Sequence, residues 1–101
     1  MLIFNTTYKV STGVNDKWLK WINDQHIPFM LETGNFTKPQ IAKVIGSEDE
    51  SGVSFSVQFQ IEDMNTLMLW HKQHVTAFQN NCAAQFGDEV IFFTTVLELI
   101  D

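Results

Sequence analysis

The sequence predicts a single α+β domain whose elements run β-α-β-β-α-β. Two short stretches alternate between two faces, residues 2–10 loosely and residues 53–61 strictly apolar against polar. Two longer stretches, 14–33 and 64–86, carry apolar residues at helical spacing instead. Period two marks a half-buried strand, and period 3.6 marks an amphipathic helix. The two remaining extended runs, 36–46 and 89–100, complete the order.

Each element follows from its own residues. In 2–10, Leu2, Phe4, Thr6, Tyr8 and Val10 share one face, opposite Ile3, Asn5, Thr7 and Lys9. Ser11-Thr12-Gly13 makes a turn. Helix 14–33 is expected to start with Asn15 or Asp16 as its cap, and to face Val14, Trp18, Trp21, Ile22 and Phe29 inward. Pro28 lacks an amide proton, so a kink is expected after His26, with Gly34 as the C-terminal cap. Pro39 places run 36–46 at an edge or a bulge. Ser47-Glu48-Asp49-Glu50-Ser51-Gly52 is a polar hairpin loop. In 53–61, Val53, Phe55, Val57, Phe59 and Ile61 oppose Ser54, Ser56, Gln58 and Gln60. Asp63 caps helix 64–86, whose expected apolar stripe is Met64, Leu67, Met68, Val75, Phe78, Cys82 and Phe86, and Gly87-Asp88 ends it. Strand 89–100 is apolar on both sides and expects cover on both. The pattern is the split-βαβ, ferredoxin-like one: a four-stranded antiparallel sheet with two helices on one face.

At 101 residues, 45% of them hydrophobic, the chain is one domain, 1–101, with enough apolar mass for a core. No apolar run approaches the length of a membrane span, and the opening Met1-Leu2-Ile3-Phe4-Asn5 is not expected to be a signal peptide. Lys and Arg number 6 against 12 acids, all 6 are lysines, and the net charge is -6. Scattered lysines without arginine argue against nucleic acid and against anionic membranes. The one cysteine, Cys82, falls on a helical apolar stripe and reads as core. No disulfide can form within the chain, which fits a cytoplasmic location. No cofactor is expected, and no metal site, because no Cys-x-x-Cys pair exists and His71 with His74 lacks a third ligand nearby.

Shifting the chain by forty-eight residues aligns Gln25-His26-Ile27 with Gln73-His74-Val75, a weak internal repeat with one Gln-His pair late in each helix. His26 sits at the border of its helix's apolar sector, where partial burial tunes an imidazole. His26 and His74 are therefore the candidate general bases. Asn5, Tyr8, Trp18, Trp21, Gln58 and Trp70 are the candidate ligand-binding walls. The polar row Ser54, Ser56, Gln58, Gln60 beside a doubly apolar last strand points to a second copy packed sheet against sheet.

Several segments carry a resemblance along the whole length: Ile3-Phe4-Asn5, Trp18-x-x-Trp21-x-x-x-x-His26-Ile27-Pro28, Gly34-x-Phe36-Thr37, Ser56-Val57-Gln58-Phe59, His74 and Leu97-Glu98. With them the chain resembles an uncharacterised bacterial family of about a hundred residues in the dimeric α/β-barrel superfamily. That family often has proline two residues after the second histidine, where this chain has Thr76. The resemblance implies a barrel of two ferredoxin-like subunits with a cleft between sheet and helices. Relatives in the wider superfamily include cofactor-free monooxygenases, dehydratases, isomerases and haem-degrading proteins, and fold alone does not choose among them.

The expected function is a homodimeric module binding a small apolar or aromatic molecule. The alternatives are a cofactor-free enzyme using His26 or His74 as general base, and a dimer whose surface serves another protein.

Overall fold

The computed structural model describes residues 1–100. Its sheet has four strands: β1 (Leu2–Ser11), β2 (Thr37–Lys43), β3 (Gly52–Ile61) and β4 (Val90–Glu98). Their order is β2-β3-β1-β4, and every neighbouring pair is antiparallel. The two most regularly alternating segments, β1 and β3, occupy the centre, where both edges are hydrogen-bonded. Register pairs Phe4 with Phe59, Tyr8 with Phe55 and Val10 with Val53, so like faces meet like. The proline-bearing run is an edge strand with an irregularity between Thr37 and Gln40, where Lys38 takes a φ of 50°. That agrees with a residue that cannot donate to a ladder.

Two helical crossovers pack on one face of this sheet. The second is a single helix of 23 residues, Met64–Phe86. The first is broken. A 3-10 turn (Thr12–Val14) leads into α1 (Asn15–Trp21), then a π-helical turn (Ile22–His26), then α2 (Ile27–Thr33). We label the second crossover helix α3. The expected helix 14–33, kinked after His26, is thus three pieces with a π-turn ending at His26, and the six-element order is not reproduced piece for piece. Neither Asn15 nor Asp16 caps α1. Val14 holds the cap position without a side-chain hydrogen bond, because the preceding 3-10 turn already pairs the Asn15 amide with the Thr12 carbonyl. Asp63, by contrast, caps α3 as expected, its Oδ1 accepting the Thr66 amide at 2.8 Å.

The core is largely aromatic. Trp18 stacks on Phe55 with centroids 4.9 Å apart, and Tyr8 leans on Trp18 and Phe92. Phe4, Phe36, Trp70 and Phe78 form a second cluster toward the other end. Gly34 stands where the clusters close: a Cβ there would lie 2.6 Å from the Phe36 ring and 2.8 Å from Trp70. Its φ is ordinary extended backbone, so close approach rather than conformation requires glycine. Cys82 is buried in the core, as its stripe predicted. Met64 and Met68 are not. Both are exposed: Met64 is the first residue of α3, and Met68 lies about 100° around the helix from Leu67, off the Leu67, Trp70, Phe78 and Cys82 face that enters the core.

The opposite sheet face has no helix. There Ile91 and Phe93 of β4 are 63% and 62% exposed, and Leu97 is also exposed. Beside them Ser56 Oγ donates to Asn5 Oδ1, Asn5 Nδ2 donates to Thr7 Oγ1, and Gln58 Nε2 donates to Ser56 Oγ. Among the described residues no helix is long and apolar enough to cross a membrane.

Candidate functional site

The π-turn is what brings His26 inward. Pro28 has no amide proton to give the carbonyl four residues back, so the local ladder is re-spaced. The Ile27 amide reaches back five residues to the Ile22 carbonyl, and Asn23 Nδ2 donates to the Leu19 carbonyl on the solvent side. One extra residue in a turn rotates the side chains beyond it. Here it carries His26 from the border of the apolar sector to a position only 2% exposed.

His26 sits in an aromatic setting. Its ring stacks on Trp21 with centroids 5.2 Å apart, and Phe59 and Phe78 approach from the sheet and from α3. Tyr8 Oη lies 3.5 Å from His26 Nε2, while His26 Nδ1 has no hydrogen-bond partner. Burial without a countercharge pushes the imidazole down to about 4, so it is neutral at physiological pH. Burial, with a smaller contribution from the nearby Cys82 thiol, pushes the Tyr8 hydroxyl far above its usual value. Burial also raises the Cys82 thiol, to about 11, which makes it a poor nucleophile.

His26 and Trp21 also line a cleft of about 210 Å³ between the π-turn and the last turns of α3, with Gln25, Asn81, Ala84 and Gln85. These last four escape sequence reading because polar residues and an alanine on outer helical positions look like plain solvated surface. A groove of about 180 Å³ runs between α3 and β4, past His71 and Phe92. A cleft of about 630 Å³ lies at the hairpin end among Asn15, Lys17, Lys43, Asp49 and Phe55. Hydrogen bonds from Ser51, Lys9 and Gly52 hold the Asp49 carboxyl below its usual range, and Lys43 pairs with Glu48.

The residues singled out from the sequence fall into three places. Tyr8, Trp18, Trp21 and His26 come together in the core. Trp70 and His74 belong to the other cluster: His74 is half-buried, edge-on to Phe29 at 6.4 Å, and Trp70 Nε1 donates to Thr33 Oγ1 at 2.9 Å. Asn5 and Gln58 lie on the uncovered sheet face, across the sheet from the tryptophans. The eight therefore do not line one pocket. Tyr8, Trp18 and Trp70 are close-packed core, and Trp21 alone of the three tryptophans borders the His26 cleft. Among the described residues no group of three or more His, Cys, Asp or Glu side chains is placed to hold a metal ion.

No curated protein matches the chain. Residues 1–100 match the family described as a domain of unknown function, DUF4286, and the chain, of about the hundred residues expected, belongs to that uncharacterised family.

Proposed function

We propose that this protein is a homodimeric module that binds a small molecule in the cleft beside His26. One observation carries the reading: an almost fully buried, neutral imidazole with an unpaired nitrogen lies in the wall of an open cleft. Buried polar atoms are nearly always paired, so an unpaired one in a residue that lines a cleft supports a binding role for that residue. General-base catalysis by His26 has weaker support. A base held at about 4 has little driving force for proton abstraction at neutral pH. His74 lies against Trp70 and Phe29, apart from the orphaned nitrogen.

The dimer rests on the uncovered sheet face. Ile91, Phe93 and Leu97 expose apolar area that a second copy would bury, and the hydrogen-bonded row Asn5–Ser56–Gln58 suits the wet part of such an interface. The strand order and the all-antiparallel pairing support the finer assignment to a ferredoxin-like, dimeric α/β-barrel subunit. A lone buried cysteine supports a reducing, cytoplasmic setting.

Native mass spectrometry tests both halves. The expected result is a species at twice 11.6 kDa, carrying extra mass when purified gently. Phe93→Asp should give a folded monomer. A wild-type monomer at micromolar concentration would remove the dimer. A dimer whose Trp21 indole N–H resonance ignores every member of a small-molecule library would remove the binding module.

A further inference from the structure

The two outer edges of the sheet are built differently. β2 carries Lys38, Pro39 and Lys43, and its register breaks between Thr37 and Gln40. Lysine, proline and broken register are devices that stop an edge from pairing with a further strand. β4 has none of them. Its 9 residues contain no proline, glycine or lysine, its register with β1 runs unbroken from Val90 to Glu98, and its one charge is the terminal Glu98.

The ladder fixes which backbone groups of β4 face outward. The Leu99 amide donates to the Met1 carbonyl, and the Thr12 amide to the Ser51 carbonyl. Bonded residues alternate along an antiparallel pair, so odd-numbered residues of β1 bond β4 and even-numbered ones bond β3. Their partners on β4 are Ile91, Phe93, Thr95 and Leu97. The N–H and C=O groups of Phe92, Thr94 and Val96 therefore point away from β1, along an edge where Thr94 and Val96 are exposed.

The groove of about 180 Å³ between α3 and β4 has Phe92 and Thr94 of this edge in its wall, with Val75 and Gln79 of α3, and no lysine lines it. Charge chooses the occupant. Asp88 and Glu89 precede β4 and Glu98 ends it, in a chain of net charge -6. A second β4, paired antiparallel about Thr94, would bring each Glu98 beside the other copy's Glu89, which sets like charges together at both ends. A segment with basic ends meets opposite charge at both. We propose that the free edge of β4 takes an extended segment of another protein as a fifth strand, with apolar side chains at alternate positions and lysine or arginine at its ends. Main-chain hydrogen bonds would supply the affinity, and the alternate side chains entering the groove the selectivity. The added strand extends the sheet in its own plane and leaves the uncovered face to the second copy.

The test follows amide hydrogen exchange in the full chain, labelled with ¹⁵N. The probe is a peptide of alternating threonine and valine with two lysines at each end. Its controls carry glutamate in place of lysine, or N-methyl groups on every valine. The expected result is that the lysine-ended peptide slows exchange at Phe92, Thr94 and Val96, whose amides are open in the free chain. The N-methylated peptide should bind about tenfold more weakly or worse, and the glutamate-ended one about tenfold more weakly at low ionic strength. Thr94→Pro removes an outward amide without touching the bonds to β1, so it should keep the fold and lose the peptide. Unchanged exchange at all three residues with millimolar peptide would overturn the edge site. Equal binding of the N-methylated peptide would overturn strand addition, and equal binding of the glutamate-ended one would overturn the basic partner. Protection of these amides in the free chain that rises with protein concentration would assign the edge to a second copy and overturn the foreign segment.

Discussion

The two crossovers do the same topological job with opposite mechanics. α3 spans its side of the sheet as one uninterrupted helix, capped by Asp63 and running straight through Thr76. The first crossover begins uncapped, breaks at a π-turn and restarts beyond Pro28. The weak repeat aligns their Gln-His pairs, yet His26 is buried and His74 only half-buried. What separates the two histidines is the proline two residues later. Pro28 forces an extra residue into the turn and swings His26 into the core. Thr76 keeps its amide, and His74 stays on the helix surface. The missing amide opens the ladder, and packing against Trp21, Phe59 and Phe78 settles His26 in the core.

The largest expected effect lies where the first crossover meets the sheet. Trp18 is fully buried and stacked on Phe55, so Trp18→Ala should cost roughly 3–5 kcal/mol, read as a lowered urea midpoint. A smaller loss than Met68→Ala, at an exposed position of α3, would remove Trp18 as the anchor of the broken crossover. Next comes Thr76→Pro. It would transplant the proline without the inserted residue, remove an interior helix hydrogen bond and cost about 3 kcal/mol or more. A near-neutral result would show that α3 can form a π-turn as the first crossover does.

A comparable effect appears as pH dependence. His26 titrates at about 4 in the folded chain against 6.5 when unfolded. Between those values the unfolded chain binds a proton that the folded chain refuses. Stability should therefore fall as pH drops from 6.5 to 4, by on the order of 3 kcal/mol, and His26 adds nothing further below 4. In His26→Gln this slope should vanish. Its persistence would assign the slope to other groups. Asp49 and Asp63, whose carboxyls sit low, lose their hydrogen-bonded charge only below this window.

Much of this was legible from residue types alone. Alternation placed β1 and β3, Pro39 marked the edge strand, and the Cys82 stripe placed Cys82 in the core. Parity also separates Asn5 from Tyr8, because residues three apart on a strand point to opposite faces. The alternation of β1 therefore already sets Asn5 and Tyr8 on different sides of the sheet. Other features were not legible. Whether Pro28 kinks a helix or inserts a π-turn depends on how well the displaced His26 packs against Trp21, Phe59 and Phe78, which is tertiary. Met64 and Met68 share helical spacing with each other, but which edge of the broad apolar stripe of α3 turns to the core is set by how the helix docks on the sheet, not by its pattern. The cleft residues Gln25, Asn81 and Gln85 acquire meaning only once two helices are brought side by side.

Gly34 ties the two crossovers together and gives a smaller test. Gly34→Ala would press a methyl group into Phe36 and Trp70, both locked in the aromatic cluster, at a cost of about 1–3 kcal/mol. Trp70 is also the side chain that reaches across to Thr33. The strain should therefore appear in the Trp70 indole N–H resonance as well as in stability. A stability loss with that resonance unmoved would place the strain on Phe36 alone.

The smallest effects compare the two helix starts. Asp63 accepts the Thr66 amide, so Asp63→Ala leaves a donor unpaired at the end of α3 and should lower the Tm. Asn15, the residue whose type suggests a cap for the first crossover, caps nothing. Its Oδ1 is buried and has no partner. Asn15→Ala removes an unsatisfied acceptor and puts a better helix former at the first position of α1, so it should leave the Tm unchanged or raise it. Two residues of the same capping class would then respond in opposite directions. The difference is geometric: Asp63 precedes its helix in extended conformation, with its side chain folded onto the first turn, whereas Asn15 is already inside the helix behind a 3-10 turn. A drop in Tm for Asn15→Ala as large as that for Asp63→Ala would mean that Asn15 does cap α1 in solution, and that the first crossover starts as regularly as the second.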